Sequence, residues 1–205
     1  MRRLWLASSS PRRKLLLEEA GIQAVCIPCD LDDDTLPQSG LGAFATCAAR
    51  AWFKAGAVDQ ALRADWAAAS NPDAGVLLAA DTLCDLDGRL LGKAGCPEEA
   101  EQMIRELAGR AHRTITGVAL LERSTSERSI WCDSADVLIG DLEEEQIREY
   151  IDSGEWRGKS GCYNFADRVA AGWPLRCEGD PTTVMGLPMR RLIPKLQELL
   201  GEAVP

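Results

Sequence analysis

The sequence predicts a single α/β domain over residues 1–205, with a mixed sheet and two lobes around a central cleft. Three observations predict it. Short apolar runs alternate with helix-patterned segments from one end of the chain to the other. Two neighbouring strand-like runs are joined by Asp87-Gly88, a two-residue hairpin signature, so part of the sheet is antiparallel. No linker, low-complexity tract or internal repeat divides the chain.

Each element has a local reason. Arg3–Ala7 reads as a short apolar strand that ends in Ser8-Ser9-Ser10-Pro11. Ser10 as N-cap, Pro11 at the first helical position and Gly21 as the stop then frame a helix. Its inner stripe is expected at Leu15, Leu16 and Ala20. Residues 22–28 read as a second strand, followed by the acids Asp30, Asp32, Asp33 and Asp34. Residues 41–66 are Ala-rich with few breakers and read as one long helix or two. Asn71-Pro72-Asp73 is a turn, and residues 75–80 form a wholly apolar run typical of a buried central strand.

Asp81 is expected directly after that strand, with the hairpin over 84–91 beyond it. Pro97–Leu107 reads as a helix with acids in its first turn and Gly109 as its stop. Residues 113–121 and 129–139 alternate as two strands. Asp141, with Glu144 three residues on, is expected to cap a helix through Ile151. Residues 160–184 look irregular, and Gly186-Leu187-Pro188 opens a last helix that Pro194 is expected to kink.

Composition narrows the function classes. With 46% hydrophobic and 27% charged residues among 205, the chain is globular rather than disordered or fibrous. Thirty-two acidic against 23 basic side chains give a net charge of −9, which argues against long nucleic acids and anionic membranes as partners. No window reaches the roughly 18 apolar residues needed to span a bilayer. Met1-Arg2-Arg3 precedes too short an apolar stretch for a secretory leader. The eight cysteines are therefore expected to be buried thiols in a cytoplasmic protein. Cys26-Ile27-Pro28-Cys29 lacks the second pair or the nearby histidine of a zinc site.

Two regions are candidates for chemistry. Residues 1–14 carry Arg2, Arg3, Arg12, Arg13 and Lys14 and no acid. Arg12 and Arg13 fall in the first turn of a helix, where the macrodipole disfavours cations unless an anion is shared there. Free N–H groups, the Ser8 and Ser10 hydroxyls and two guanidinium forks suit a phosphate cradle; a solvated basic face is the other reading. Asp81, at the expected exit of a strand, lies where open α/β sheets place ligand chemistry, or else only forms a turn. The acids at 30–34 join it in a divalent-cation site if the two loops face one another, and are otherwise a solvated loop.

Other readings fail. The stretches 88–94 and 154–160 have three residues between their glycines, one short of the phosphate-binding loop of nucleotide-binding proteins. His112 is the only histidine, which disfavours Ser-His-Asp catalysis and histidine metal sites. Carboxylates, arginines and lysines remain, and they suit metal-assisted hydrolysis of a phosphate ester or anhydride.

These residues also carry a resemblance. Ser8-Ser9-Ser10-Pro11-Arg12-Arg13 resembles the S-x-S-P-R-R signature of Maf-type nucleoside triphosphate pyrophosphatases, the septum-formation family. Ala80-Asp81-Thr82 resembles its A-D-T motif, and Leu91-Gly92-Lys93 its G-K-P, with Ala94 in place of proline. The stretch from Glu98 through His112 to Val118, then Gly154-Glu155, Lys159, Gly161 and Tyr163, and finally Val184 to Met189, resemble later motifs in the same order.

The resemblance implies an elongated mixed sheet of the Maf and inosine-triphosphatase type, a cleft and a homodimer. It implies cleavage of a nucleoside triphosphate to monophosphate and pyrophosphate with Mg²⁺ or Mn²⁺. The family's general base falls on Asp81, and its substrate-binding positions on Ser8, Arg12, Arg13, Lys54, Thr82 and Lys93. Asp33 replaces a family glutamate, so the implied metal ligands are Asp33 and Asp81. Tyr163-Asn164-Phe165-Ala166 stands where the family has Tyr-Gly-Ile-Gln, so the base-reading glutamine is replaced by Ala166, with Asn164 and Asp167 as candidate substitutes.

Pro11-Arg12-Arg13 and Asp81-Thr82 resemble the dTTP/UTP-cleaving branch. Asp180-Pro181-Thr182-Thr183 resembles the branch acting on methylated nucleotides. The expected substrate is dTTP, UTP or a modified pyrimidine nucleotide, in a house-cleaning role. The alternatives are a non-catalytic nucleotide-binding regulator of cell division and a hydrolase of purine, inosine-type triphosphates.

Overall fold

A computed structural model describes residues 2–29, 31, 42–65 and 75–201. The elements are β1 (Arg3–Ala7), α1 (Pro11–Glu19), β2 (Val25–Ile27), α2 (Ala43–Asp65), β3 (Gly75–Leu86), β4 (Arg89–Leu91), α3 (Pro97–Leu107) and β5 (Arg110–Glu122). They continue with β6 (Arg128–Ile139), α4 (Glu144–Ser153), a 3-10 turn at Ser160–Cys162, α5 (Phe165–Ala170), β7 (Leu175–Glu178), α6 (Pro181–Val184) and α7 (Met189–Leu200).

The strands form one mixed seven-stranded sheet in the order β2-β1-β3-β5-β6-β7, with β4 paired to β3 off that path. β1 runs parallel to β2 and β3; the remaining pairings are antiparallel. β3 is continuous through Asp81, because β5 pairs with it from Val76 to Asp85. Its other edge changes partner. β1 accompanies it from Gly75 to Ala79 and β4 from Cys84 to Leu86. Among the described residues, no strand lies beside Ala80 to Leu83 on that side, which makes a notch in the sheet edge.

Strand alternation sends successive side chains to opposite faces. One face carries two separate cores. Leu4, Leu6, Leu78, Ala80, Val118 and Leu120 pack under α1 and α7. Cys84, Leu86, Val137 and Ile139 pack under α3 and α4. These are the two expected lobes, and they meet at Thr82 and Thr116. The opposite face belongs to α2, whose Ala51, Ala55 and Val58 cover Trp5, Leu77, Ala79 and Ala119. A fully buried Arg123 pins the helix by donating from Nε to Asp59 Oδ1 at 2.7 Å while its guanidinium lies 5.2 Å from the Trp5 ring centre.

Alanine gives α2 its helix propensity and a surface low enough to lie almost on β5. A Cβ on Gly117 would stand 2.4 Å from the Cys47 carbonyl oxygen and 2.9 Å from the Ala48 nitrogen. Both are helix backbone, which cannot turn aside. Gly117→Ala is therefore expected to cost about 2–3 kcal/mol, read as a lower urea midpoint. Unchanged stability would mean that α2 can lift off the sheet freely.

Several local expectations shift. In α1 the buried pair is Leu16 and Leu17, whereas Leu15 is exposed. Ser10 occupies the N-cap position without a side-chain cap bond. α4 starts at Glu144 rather than behind Asp141, with the Glu143 N–H donating to Gln146 Oε1 at 3.0 Å. The irregular stretch contains β7, which pairs with β6 over Asp136–Ile139. All eight cysteines are free thiols, but only Cys47, Cys84 and Cys162 are buried. The Asp87-Gly88 turn has φ of 53° and 85°, as a type I′ hairpin requires.

Candidate active site

The notch in β3 gathers side chains from both faces of the sheet. On the α2 face, Asp81 is 4% exposed. Lys54 Nζ donates to its Oδ1 at 2.5 Å. Arg50 Nη1 lies 3.8 Å from its Oδ2, inside ion-pair range but beyond hydrogen-bonding distance. Thr46, Arg50 and Lys54 are spaced i, i+4, i+8 along α2, so one polar stripe runs down an otherwise alanine-lined helix toward the carboxylate. Among the described residues, Asp81 Oδ2, Arg50 Nε and Thr46 Oγ1 are buried without a hydrogen-bond partner.

The floor beneath is neutral. Cys47 Sγ accepts the Gly117 N–H at 3.0 Å and lies 3.1 Å from the Asp81 carbonyl oxygen. The hydrogen bond with Cys132, and then burial, raise the Cys47 thiol well above its ordinary value. A thiol held protonated in this way is packing, not a nucleophile.

On the other face, Arg13 ties three segments together. Its Nε donates to the Gly186 carbonyl at 2.9 Å, Nη1 to Ser8 Oγ at 3.2 Å and Nη2 to Thr82 Oγ1 at 3.1 Å. Ser8 Oγ also accepts the Ser10 N–H at 3.1 Å, which shapes the turn into α1. Ser8, Arg13, Thr82, Lys54 and Asp81 thus converge on the notch. Arg12 does not join them; it turns to α5 and pairs with Asp167 Oδ1 at 2.7 Å. Lys93 follows β4, which runs antiparallel to β3 and so returns the chain toward the level of Thr82. Asp33 lies outside the described residues, as do Asp30, Asp32 and Asp34.

The Lys93 loop is clamped by the 3-10 turn. Ser160 Oγ donates to the Leu91 carbonyl at 2.7 Å, and the Gly161 N–H donates to the Gly92 carbonyl at 3.1 Å. Tyr163 follows the turn and shares a buried 2.7 Å hydrogen bond with His112 Nε2. Lys159, just before it, is lowered from the ordinary lysine value by burial and by nearby Arg12 and Arg168, against the pull of Asp167 and Glu155.

Burial lowers His112 to about 4. The unfolded imidazole takes its proton near pH 6.5, so the unfolded chain binds the extra proton first as pH falls. The His112 contribution to stability is complete above pH 6.5 and is lost progressively down to about 4. Between pH 7 and 4.5 the wild type should lose about 2.5 kcal/mol more than His112→Gln in urea titrations. Parallel losses in the two proteins would show that His112 does not titrate between those limits.

Arg50 and Thr46 are the site residues that motif reading misses. Their signal is the polar i, i+4 spacing with Lys54 inside an alanine-rich helix. No helix among the described residues is long and apolar enough to cross a membrane.

Known proteins are similar to this chain along most of its length. A family model described as Maf-like protein matches residues 3–199. A protein named dTTP/UTP pyrophosphatase from Pelotomaculum thermopropionicum is 34% identical over 198 residues, covering 97% of each chain. One of the same name from Nitrobacter winogradskyi is 36% identical over 208 residues, covering 99% of this chain and 93% of its own. The Staphylococcus aureus Ham1 protein structure aligns at 16% identity and a TM-score of 0.43, over 68% of this chain and 73% of its own. Near-complete coverage by the family model, with relatives over a third identical along almost their full length, places this chain in the Maf-like protein family.

Proposed function

We propose that this protein is a nucleoside triphosphate pyrophosphatase, cleaving dTTP or UTP to the monophosphate and pyrophosphate. The observation that carries the reading is Asp81. It is a buried carboxylate with Lys54 on one oxygen and, among the described residues, no hydrogen bond on the other, at a notch beside the Ser- and Arg-rich start of α1. Relatives of that activity name, alike over nearly the whole chain, support the substrate class.

Lys54 fixes Oδ1 and leaves Oδ2 as the proton acceptor. A water placed there gives its proton to Oδ2 as its oxygen attacks the α-phosphorus. The bond from that phosphorus to the bridging oxygen breaks, and pyrophosphate leaves with the electron pair. Ser8, Arg13, Lys93 and the first N–H groups of α1 bind the phosphate chain and offset the charge that grows on the leaving group. Thr82 orients Arg13 by accepting its Nη2 donor.

The donor chemistry fits a hard divalent cation in one respect: Asp81 Oδ2 is an oxygen with no hydrogen-bond partner among the described residues. Asp81, together with Asp33, would hold Mg²⁺ or Mn²⁺, with substrate phosphates completing the shell. When bound, the ion supplies Lewis-acid polarisation of the phosphoryl oxygen. A homodimer belongs to the same reading and rests on the family resemblance; a cytoplasmic location rests on the cysteine content and the short apolar stretch after Arg3.

The test is pyrophosphate release over a panel of normal and modified nucleoside triphosphates, with Mg²⁺, Mn²⁺ or EDTA. Release from dTTP and UTP that EDTA abolishes is the expected result. Nucleotide binding without release would favour the regulator, and release from purine nucleotides alone the inosine-type hydrolase.

A further inference from the structure

We infer that Arg50 is a phosphate-binding residue of this site, contacting the phosphoryl oxygens nearest Asp81. The inference rests on the polyphosphate-substrate reading above and adds a residue to it.

Arg50 is 8% exposed, and its guanidinium is aimed from α2 at the carboxylate. It is not bonded there. Nη1 stands 3.8 Å from Asp81 Oδ2, and Nε, also buried, has no hydrogen-bond partner among the described residues. A buried guanidinium is costly to leave with an unmade bond, and the Nε–H of Arg50 has given up water without gaining an acceptor among the described residues. Lys54 already satisfies the other oxygen of Asp81 at 2.5 Å, so a second cation is not needed to hold the carboxylate in place.

A phosphoryl group resolves all three observations. Its non-bridging oxygens accept from Nε and Nη in the parallel arrangement a guanidinium favours. It brings the negative charge that Lys54 and Arg50 together hold in excess over the single Asp81. Its place beside Oδ2 is also where a phosphorus under attack by an Asp81-activated water must sit.

The experiment separates contact with phosphate from an effect exerted through Asp81. Asp81→Asn and Asp81→Asn/Arg50→Gln proteins are titrated calorimetrically with inorganic tripolyphosphate, which carries no base. Arg50→Gln is expected to weaken binding by about 10- to 100-fold in this background, where no carboxylate is left for Arg50 to influence. Arg50→Lys, which keeps the charge and loses the fork, should weaken it about threefold or more and replaces Arg50→Gln if that variant does not fold. Affinities within twofold of the Asp81→Asn parent would overturn the assignment, as would absence of tripolyphosphate binding by that parent. Failure of the hydrolase reading looks different. Wild-type protein would release no pyrophosphate from any triphosphate, while the Arg50 substitutions still weakened tripolyphosphate binding.

Discussion

Asp81→Asn is expected to lower the rate of pyrophosphate release by about 10³-fold or more while triphosphate binding is kept. The amide has the carboxylate's shape, and its oxygen can still accept from Lys54 Nζ. It cannot take a proton from water at neutral pH. Binding should hold or improve, because the substitution removes a negative charge from beside the phosphate chain and leaves Lys54 and Arg50 in place. Stability should fall for the same reason: two largely buried cations lose their counter-charge. Added tripolyphosphate should restore part of the melting temperature by mass action. A residual rate within tenfold of wild type, measured at saturating dTTP or UTP, would remove Asp81 from the chemistry.

Much of the fold was legible because hydrophobic period is local. Pro97–Leu107 falls where Pro97, its acids and Gly109 put it, and the Asp87-Gly88 hairpin forms as its turn chemistry requires. What was not legible depends on distant partners. Asp81-Thr82 interrupts an apolar run, so the sequence pattern alone ends the strand there. It continues because β5 pairs with it on the far edge, as in Asp81 with Gly117 and Asp85 with Arg113. Three consecutive leucines in α1 leave its inner face undetermined until the helix docks and buries Leu17 instead of Leu15. β7 is four residues long, and only its pairing with β6 distinguishes it from loop.

The site divides in the same way. Ser8, Arg13, Thr82 and Asp81 sit on or beside strands that pair directly, so motifs near in sequence or in register stay together. Lys54 arrives from a helix on the opposite face, and the family resemblance alone pointed to it. Arg12 stands beside Arg13 in the first turn of α1. Neighbouring helical residues diverge by about 100°, and Arg12 accordingly leaves for Asp167. That pair brings Asp167 against the start of α1. Arg50 carries no motif at all. Its only mark is its spacing from Lys54, which becomes meaningful once Gly117 shows how closely α2 lies on the sheet.

Arg13→Ala should reduce the rate constant kcat/KM by about 10²–10³-fold, the second-largest loss among these substitutions. Three donors of its guanidinium reach three separate segments: Ser8 at the end of β1, Thr82 in β3 and Gly186 ahead of α7. The hydrogen bonds beyond it run one way. Thr116 Oγ1 donates to the Thr183 carbonyl at 2.7 Å, so at the 2.9 Å contact between the two threonines Thr82 is the donor and Thr116 the acceptor. Thr82 Oγ1 then receives Arg13 Nη2 through a lone pair, and the guanidinium is held by the Gly186 carbonyl, which accepts from Nε. Truncation removes a positive charge and one of the two donors to Ser8 Oγ, leaving it the Ser10 N–H, while the Gly186 carbonyl loses its Arg13 donor. Arg13→Lys separates these effects. An ammonium restores charge near Ser8 but cannot span three acceptors with fixed angles. It should recover less than tenfold of the lost activity, whereas charge alone would predict near-complete recovery. A near-normal rate in Arg13→Ala, with dTTP or UTP below KM, would sink the phosphate-cradle assignment for the start of α1.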